Sequence, residues 1–249
     1  KWKEQFEKIA PEIPLTIGAM TDRPEEVVCA MVWKQKKGVL SPFKNLKLIF
    51  SMGAGVDHIM EDDSIPHHIP ICRVIDPQMA FSMSNYILMA VLNHHRSFYD
   101  FQRAKQKKQW AQFEFGEKEL KIGVLGTGFL GMDIATKLDA LGFSVVGFST
   151  TPKETSFPSY SGTQLDSFLS EINVLICIVP YTPKTQNLLN YSFFQKLKNP
   201  TYLINVSRGG VQVEKDILRA LDQGLLNGAF MVVLEGRPLP KKSPYWVIP

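Results

Sequence analysis

Apolar and polar residues follow two different periods along this chain. In the first part, apolar residues recur at helical spacing or gather in short β-branched runs, a pattern typical of alternating helices and strands. The predicted helices span 2–9 and about 24–28, and the predicted strands span 15–17, 30–33 and 46–51. This order predicts a small parallel sheet with helices beside it.

A long apolar stretch of helical period covers 79–94 and continues in polar form to about Trp110. Beyond it, the predicted strands are 122–125, 144–148, 174–179, 202–206 and 229–234, and the predicted helices are 132–141, 164–169, 191–197 and 215–221. Regular alternation of strand and helix predicts a doubly wound parallel sheet. The predicted fold class is therefore α/β, with two Rossmann-like domains, both doubly wound parallel sheets, joined by the long helix.

A glycine fingerprint, G-x-G-x-x-G, follows the strand at 122–125 and opens the next helix. Gly126 suits a tight turn, Gly128 lets the backbone approach a pyrophosphate, and Gly131 lets the helix pack closely. The first amides of the helix would then bind the phosphates. A glycine-rich turn in some other α/β protein is the competing interpretation, but the flanking strand and helix favour a dinucleotide site.

The loop after the second strand of this unit indicates which dinucleotide is bound. An acidic residue about 20 positions after the glycines holds the ribose 2′-hydroxyl of NAD in many such sites, and this chain has none there. The loop instead carries hydroxyls and an ammonium group, from Ser149, Thr150, Thr151 and Lys153. NADP is therefore predicted, with NAD as the alternative. An ordinary polar loop with a solvated Lys153 is the other interpretation.

Composition limits the class of protein. At 249 residues and 45% hydrophobic content, the chain is long enough for two domains with buried cores. No apolar run approaches the ~20 residues that cross a bilayer, and no leader resembles a signal peptide, so a soluble cytoplasmic protein without membrane contact is expected. The net charge of +4 is mild and the basic run at 105–108 suits a solvated helix face, so no nucleic-acid partner is expected.

Cys29, Cys72 and Cys177 lie far apart in the sequence. Their spacing indicates neither a disulfide framework nor a C-x-x-C metal site. The paired histidines at 67–68 and 94–95 also lack further ligands, so no metal is predicted. Cys177 falls inside a predicted buried strand, and all three cysteines are expected to be small core residues.

A series of motifs runs in order along nearly the whole chain. They are Val-Trp-Lys at 32–34, a segment at 45–58 with a Gly-Ala-Gly-Val loop, the glycine fingerprint at 126–131, Val-Pro-Tyr-Thr-Pro-Lys-Thr at 179–185, a segment at 204–210 with Ser-Arg-Gly-Gly, and Pro-Leu-Pro at 238–240. Together they resemble the D-isomer-specific 2-hydroxyacid dehydrogenases, and among them the glyoxylate/hydroxypyruvate reductase A type.

The resemblance implies an NAD(P)-dependent oxidoreductase that reduces the C2 carbonyl of a small 2-oxo acid, such as glyoxylate or hydroxypyruvate, to the D-2-hydroxy acid. It implies a substrate domain over 1–87, flavodoxin-like and lacking its first strand and C-terminal helix. The NAD(P)-binding Rossmann domain would then span 88–249. Association through the cofactor domain and the long helix is also implied, so a homodimer is expected.

The resemblance also assigns the substrate contacts. The amides of Ala54, Gly55 and Val56 would cradle the substrate carboxylate, since a glycine-containing turn can present consecutive amides to an anion. Trp33 would line the pocket. Arg208 matches the family's catalytic arginine, whose guanidinium contacts both the carboxylate and the carbonyl oxygen. A surface arginine paired with an acid is the competing interpretation.

The implied cofactor contacts follow the strand ends of the second domain. They are Gly126, Gly128, Phe129, Leu130, Gly131, Ser149, Thr150, Thr151, Lys153, Val179, Pro180, Thr185, Val206 and Ser207. This distribution is the one expected of a dinucleotide lying across the carboxyl ends of parallel strands.

Two positions depart from the family pattern. Val232 stands where relatives have Asp, and Arg237 where they have the Glu that pairs with a general-acid histidine. A guanidinium there would disfavour the imidazolium and discourage protonation of the substrate. Glu235 is the alternative carboxylate. The histidine itself is expected in a Thr-Pro-His motif after residue 249. His58 follows the loop of Ala54, Gly55 and Val56 and is a possible substitute, but a histidine in such a position more often has a structural role.

Two functions stay open at this point. The first is an NADP(H)-preferring reductase of glyoxylate or hydroxypyruvate. The second, motivated by Val232 and Arg237, is a catalytically impaired relative that binds cofactor and acts in regulation by controlling association.

Overall fold

The structure, a computed structural model, describes residues 2–113, 120–236 and 238–248. The chain divides into two compact units, Lys1–Ile75 and Asp76–Pro249, and each contains a parallel sheet with helices. This division lies just before the long helix, whereas the sequence pattern places the boundary inside it, at residue 87. The assignment of substrate binding to 1–87 and of cofactor binding to 88–249 stays a prediction.

The first unit contains a parallel sheet of three strands among its described residues. Its elements in chain order are helix α1 (Trp2–Ile9), strands β1 (Cys29–Val32) and β2 (Leu48–Ser51), helix α2 (Asp57–Met60) and strand β3 (Ile71–Arg73). The strands lie in the order β1-β2-β3, and their last residues are side by side because Ser51 pairs with both Val32 and Arg73. The carboxyl ends of all three strands therefore meet at one edge.

Two elements predicted for this unit are wrong. Residues 15–17 form no strand, because Pro14 has no amide to donate and Gly18 turns the chain away with a φ of 93°. The predicted helix near 24–28 is only a 3-10 turn over Pro24–Glu26. Conversely, α2 and β3 are too short to show a period, which is why the sequence pattern does not reveal them.

The second unit contains a parallel sheet of six strands among its described residues. Its elements are helices α3 (Pro77–His95), α4 (Phe98–Gln106), α5 (Phe129–Ala140), α6 (Leu165–Glu171), α7 (Tyr191–Phe194) and α8 (Glu214–Asp222), and strands β4 (Lys121–Leu125), β5 (Ser144–Ser149), β6 (Ser159–Ser161), β7 (Val174–Cys177), β8 (Thr201–Asn205) and β9 (Leu226–Met231). The strand order β6-β5-β4-β7-β8-β9 is the dinucleotide-binding Rossmann order, which reverses between β4 and β7. The predicted doubly wound sheet is confirmed.

The helix predicted to continue to about Trp110 is in fact two helices. Asp76 caps the first turn of α3 by accepting a backbone hydrogen bond, and Pro77 is its first residue. After α3, Ser97 adopts a left-handed conformation with a φ of 49°, which interrupts the helical hydrogen-bond ladder before α4 begins. No helix in the described part of the chain has both the length and the apolar character needed to cross a membrane.

Apolar clusters cover both faces of the second sheet, as parallel sheets generally require. Successive residues of β7 belong to opposite clusters, and all four are buried. Phe168 and Phe194 fill one side, while Ile134 and Leu138 of α5 fill the other. Helix α5, which follows the glycine turn, is thus held on the sheet by its buried apolar side.

The cysteines divide between core and surface. Cys177 is fully buried in β7, as predicted, and burial raises the pKa of its thiol to about 12. Cys29 and Cys72 are exposed, so the prediction that they are core residues is wrong. The reason for Cys29 is strand geometry, because side chains alternate between faces and its neighbours Ala30 and Val32 occupy the core positions of β1.

Candidate active site

The glycine turn joins β4 to α5. Gly126 has a φ of 109°, in the left-handed region, and its amide donates a 2.9 Å hydrogen bond to the Phe148 carbonyl at the end of β5. A Cβ atom at this position would lie 3.0 Å from the carbonyl carbon of Ile178. The turn is therefore fitted between the ends of the two strands that flank β4.

The two other glycines of the fingerprint have opposite surroundings. A Cβ atom at Gly131 would lie 1.9 Å from the Gly126 carbonyl oxygen, so only glycine lets α5 approach the turn this closely. A Cβ atom at Gly128 would meet nothing within 4 Å. Gly128 is the N-cap of α5, no side chain caps the helix, and the exposed Phe129 and half-buried Leu130 form its first turn.

This arrangement fits a dinucleotide. The first amides of a helix have no partner within it, and here they stand beside an open glycine backbone, where a diphosphate can approach. The position lies at the carboxyl edge of the sheet, where the strand order reverses, which is the usual ligand crevice of such sheets. The tight turn predicted at Gly126 and the close helix packing predicted at Gly131 agree with this geometry, and the approach of Gly128 to a pyrophosphate stays a prediction.

The loop after β5 adjoins the glycine turn, because the Phe148 carbonyl also lies 3.3 Å from the Thr127 amide. Ser149 donates its hydroxyl hydrogen bond to the Thr151 carbonyl at 2.6 Å and so shapes the loop. Thr150, Thr151 and Lys153 are exposed. The loop that carries the groups predicted to select NADP thus begins beside the glycine turn, and three of those residues are in contact with solvent.

The loop after β7 is organised by Thr185. Its hydroxyl donates to the Pro180 carbonyl at 2.6 Å and accepts from the Thr182 amide at 2.9 Å. Val179 is half-buried and Pro180 exposed at the strand end. Both of these hydrogen bonds of the Thr185 hydroxyl lie within the loop. The side chain therefore stabilises the conformation of the loop.

A buried polar network follows β8. The Asn205 side chain donates to Gln212 at 2.6 Å, and its oxygen accepts from the Ser207 amide at 3.0 Å. The Ser207 hydroxyl in turn donates to the Val179 carbonyl, while the buried Val206 amide donates to β7. Asn205 and Gln212 are fully buried. Ser207 therefore joins the two strand ends, and it is held from below by Asn205 and Gln212, which sequence reasoning missed.

Arg208 follows this network directly. Its backbone is extended, its side chain is exposed, and one guanidinium nitrogen donates to the Ser207 carbonyl at 2.9 Å. A Cβ atom at Gly209 would lie 2.5 Å from the Leu234 backbone, and one at Gly210 would lie 2.8 Å from the Tyr181 ring. Glycine is thus required at 209 for the turn that leaves Arg208 at the carboxyl edge of the sheet, and Gly210 leaves room for the Tyr181 ring.

The sheet brings the three segments together. Strands β4, β7 and β8 are neighbours, so the glycine turn, residues 179–180 and residues 206–208 all lie at one edge of the second unit. Val232, the departure from the family pattern, packs against an apolar cluster of the same unit, and its amide donates to the Asn205 carbonyl at 3.2 Å. Arg237 lies outside the described residues.

In the first unit, the loop predicted to bind the substrate carboxylate through Ala54, Gly55 and Val56 follows β2. It is called the carboxylate loop below. The Trp33 ring packs on Gly53, where a Cβ atom would lie 2.1 Å from the ring, and Trp33 is 58% exposed. Its ring centroid is 6.4 Å from that of His58, whose carbonyl accepts from Gln35 at 3.0 Å. Trp33 and the loop are therefore adjacent within the unit, and their roles in substrate binding stay a prediction.

The loop amides are available to a ligand. Within the described residues, the amides of Ala54, Gly55 and Val56 donate to no acceptor. The fully buried Ser51, which sequence reasoning missed, donates to the Gly55 carbonyl at 2.7 Å. Consecutive unpaired amides in a fixed turn are able to bind an anion such as a carboxylate.

His94 has a structural environment. Its ring stacks on Tyr202 with centroids 3.9 Å apart and planes 10° apart. Burial lowers the pKa of His94, the nearby His95 lowers it further, and Asp100 opposes both. Burial also raises the pKa of Tyr202 to about 12. The pair lies toward the start of β8, away from the carboxyl edge that carries Arg208.

Comparisons with known proteins agree with this geometry. Residues 88–249 match the family described as D-isomer specific 2-hydroxyacid dehydrogenase, NAD binding domain. The chain is 37% identical over 233 residues to a glyoxylate/hydroxypyruvate reductase A of Serratia proteamaculans, covering 90% of this chain and 74% of that one.

Solved structures are similar as well. An NADPH-dependent glyoxylate/hydroxypyruvate reductase of Sinorhizobium meliloti, in complex with NADP and sulfate, has a TM-score of 0.84 at 35% identity and matches 89% of this chain and 72% of that one. A D-isomer specific 2-hydroxyacid dehydrogenase of Xanthobacter autotrophicus, in complex with NADPH and MES, has a TM-score of 0.91 at 35% identity, with 99% and 80% covered. The resemblance inferred from the motifs is confirmed, and the chain belongs to the D-isomer-specific 2-hydroxyacid dehydrogenase family.

Proposed function

We propose that this protein reduces a small 2-oxo acid, such as glyoxylate or hydroxypyruvate, to the D-2-hydroxy acid with NADPH. The observation that carries the proposal is the position of Arg208 at the end of β8, on the same sheet edge as the glycine turn after β4. A fixed positive charge at the cofactor crevice is what a reaction on an anionic carbonyl compound requires. The reductase names of the similar proteins support the same activity.

The cofactor residues act through binding. The glycine turn at 126–131 and the first amides of α5 hold the diphosphate, and residues 179–180 and 206–207 form the neighbouring walls. The bound nicotinamide supplies the hydride. The hydroxyls and the ammonium group after β5 suit the 2′-phosphate of NADP, and the Sinorhizobium and Xanthobacter structures hold NADP and NADPH respectively. NAD stays the alternative cofactor.

The substrate residues have separate tasks. The amides of Ala54, Gly55 and Val56 bind the carboxylate, and Trp33 limits the size of the group on C3. The Arg208 guanidinium binds the carbonyl oxygen and stabilises the negative charge that develops there as the hydride is transferred. Its planar set of donors lets it bind the carboxylate as well, which an ammonium group does not match.

The regulatory alternative is not favoured, because the similar curated proteins carry reductase names. Val232, one of the two residues that suggested this alternative, packs against an apolar cluster and so fits its position in the fold. Steady-state oxidation of NADPH by the full-length protein with glyoxylate and with hydroxypyruvate tests the proposal, together with chiral analysis of the product. The proposal would be rejected if NADPH were oxidised no faster with the 2-oxo acid than without it.

We also propose a cytoplasmic homodimer formed through the cofactor domain. Helices α3 and α4 carry large apolar side chains that are 39% to 52% exposed, namely Phe81, Tyr86, Met89, Leu92, Phe98, Tyr99 and Phe101. Exposed apolar surface of this extent is typical of association sites. Sedimentation of the protein and of a Leu92→Glu variant tests the dimer. If the dimer forms through these helices, the variant should sediment as a smaller species than the wild-type protein. Cell fractionation tests the location.

A further inference from the structure

The carboxylate loop of the first unit is held by its carbonyl groups. The Val74 amide donates to the Gly53 carbonyl at 3.3 Å, and the Arg73 guanidinium donates to the Ala54 carbonyl at 3.4 Å. The Ser51 hydroxyl donates to the Gly55 carbonyl at 2.7 Å. These donors fix a run of consecutive peptide groups rather than a single one.

Fixing the carbonyls also fixes the amides. In a planar trans peptide the N–H points away from the C=O of the same unit. The three bonds to the carbonyls of residues 53, 54 and 55 therefore orient the N–H groups of Ala54, Gly55 and Val56 toward the opposite side. These are the amides that donate to no acceptor within the described residues.

The fold explains how the donors reach the loop. Ser51 and Arg73 end the paired strands β2 and β3 and are direct register partners. Ser51 is fully buried beneath the loop, whereas Arg73 is exposed and adds a positive charge beside it. Arginine can donate to a carbonyl from one nitrogen and keep its charge at any pH at which the protein is folded.

We propose that Arg73, together with Ser51, is a positioning residue for the substrate carboxylate. Arg73 holds the peptide between residues 54 and 55 with its amide outward, and its charge favours the binding of an anion to the loop. This inference rests on the proposed reduction of 2-oxo acids. It assigns to Arg73 a role in the affinity for the substrate and in the preference for a charged carboxylate over an uncharged ester, and no role in cofactor binding.

The test compares Arg73→Gln, Arg73→Lys and Ser51→Ala with the wild-type protein. Arg23→Gln is the matched control, because Arg23 is another exposed arginine of the same unit and pairs only with its helical neighbour Glu26 among the described residues. Glyoxylate and its uncharged methyl ester are compared as substrates, and the affinity for NADPH is measured by fluorescence titration.

For Arg73→Gln, KM for glyoxylate is expected to rise about tenfold with a smaller change in kcat, as for the loss of one charge-assisted hydrogen bond. Arg73→Lys should recover part of that affinity, since it keeps the charge. Reduction of the methyl ester should change little, and the dissociation constant for NADPH should not change. Ser51→Ala should raise KM for the acid in the same way.

An unchanged KM in Arg73→Gln, or an equal loss with the acid and the ester, would overturn the inference. If the wild-type protein oxidises NADPH with glyoxylate and Arg73→Gln behaves like Arg23→Gln, only the role of Arg73 fails. If the wild-type protein does not oxidise NADPH with any 2-oxo acid, the proposed function itself fails, and this role fails with it.

Discussion

The carbonyl oxygen of Gly126 occupies the space that a side chain at Gly131 would need, since a Cβ atom there would lie 1.9 Å away. We predict that Gly131→Ala distorts the glycine turn, because the obstacle is backbone and cannot move aside. The expected cost is about 1–3 kcal/mol of unfolding free energy, with loss of NADPH binding measured by fluorescence titration.

Gly128→Ala is the matched comparison, because a Cβ atom there meets nothing within 4 Å. The fold should keep its thermal stability, while NADPH binding weakens because the new methyl group enters the space of the diphosphate. Equal stability of the two variants would contradict the close approach of α5 to the turn.

Asn205 and Gln212 form a buried hydrogen-bonded pair. Gln212→Leu removes the acceptor of the Asn205 amide and leaves that group unpaired in the core, at an expected cost of about 1–3 kcal/mol. Because the network includes Ser207, which precedes Arg208, kcat should fall as well. Urea denaturation and steady-state kinetics check both effects. A loss of stability without any change in kcat would show that the Asn205–Gln212 network does not position Arg208.

Cofactor choice gives a third prediction. Lys153→Ala should weaken NADPH binding more than NADH binding, because only NADPH carries the 2′-phosphate. The effect should shrink as salt is added, since Lys153 is exposed and its charge is screened. Lys198→Ala, at another exposed lysine outside the loop after β5, is the control. Equal losses for the two cofactors would remove Lys153 from the site.

Stability at mildly acidic pH gives a fourth prediction. Burial lowers the pKa of His94 in the folded protein, whereas an unfolded histidine has a pKa of about 6.5. The unfolded state therefore binds more protons below that pH, and stability is lost as the pH falls from about 6.5 toward the folded pKa. His94→Phe, which keeps a ring against Tyr202, should flatten this dependence of the urea midpoint on pH. The exposed His68, changed to Gln, is the control.

Much of the second unit follows from local sequence. The run Val-Leu-Ile-Cys of β7 is apolar throughout because both faces of the strand are covered, and the glycine fingerprint marks the turn after β4. The edge strand β6 is polar and only three residues long, so no periodicity reveals it. The break at Ser97 also escapes prediction, because neither glycine nor proline stands near it.

The residues that support the site are harder to infer from sequence. Arg73 meets the carboxylate loop only because strand register places it beside Ser51, and register is not visible in either segment alone. Asn205 interrupts the apolar run that the sequence pattern assigns to a strand at 202–206, which is a signal that sequence reasoning could have used. Its partner Gln212 becomes apparent only in the folded structure.

In the proposed reaction, Arg208 acts on an anionic carbonyl substrate beside a bound NADPH. The most direct test is kcat/KM for glyoxylate in the full-length protein and its Arg208→Gln variant, with Arg23→Gln as control. We expect NADPH oxidation by the wild-type protein, a fall of about 100-fold or more in kcat/KM for Arg208→Gln, and an unchanged dissociation constant for NADPH. Similar kcat/KM values for the wild-type protein and Arg208→Gln would contradict this role of Arg208.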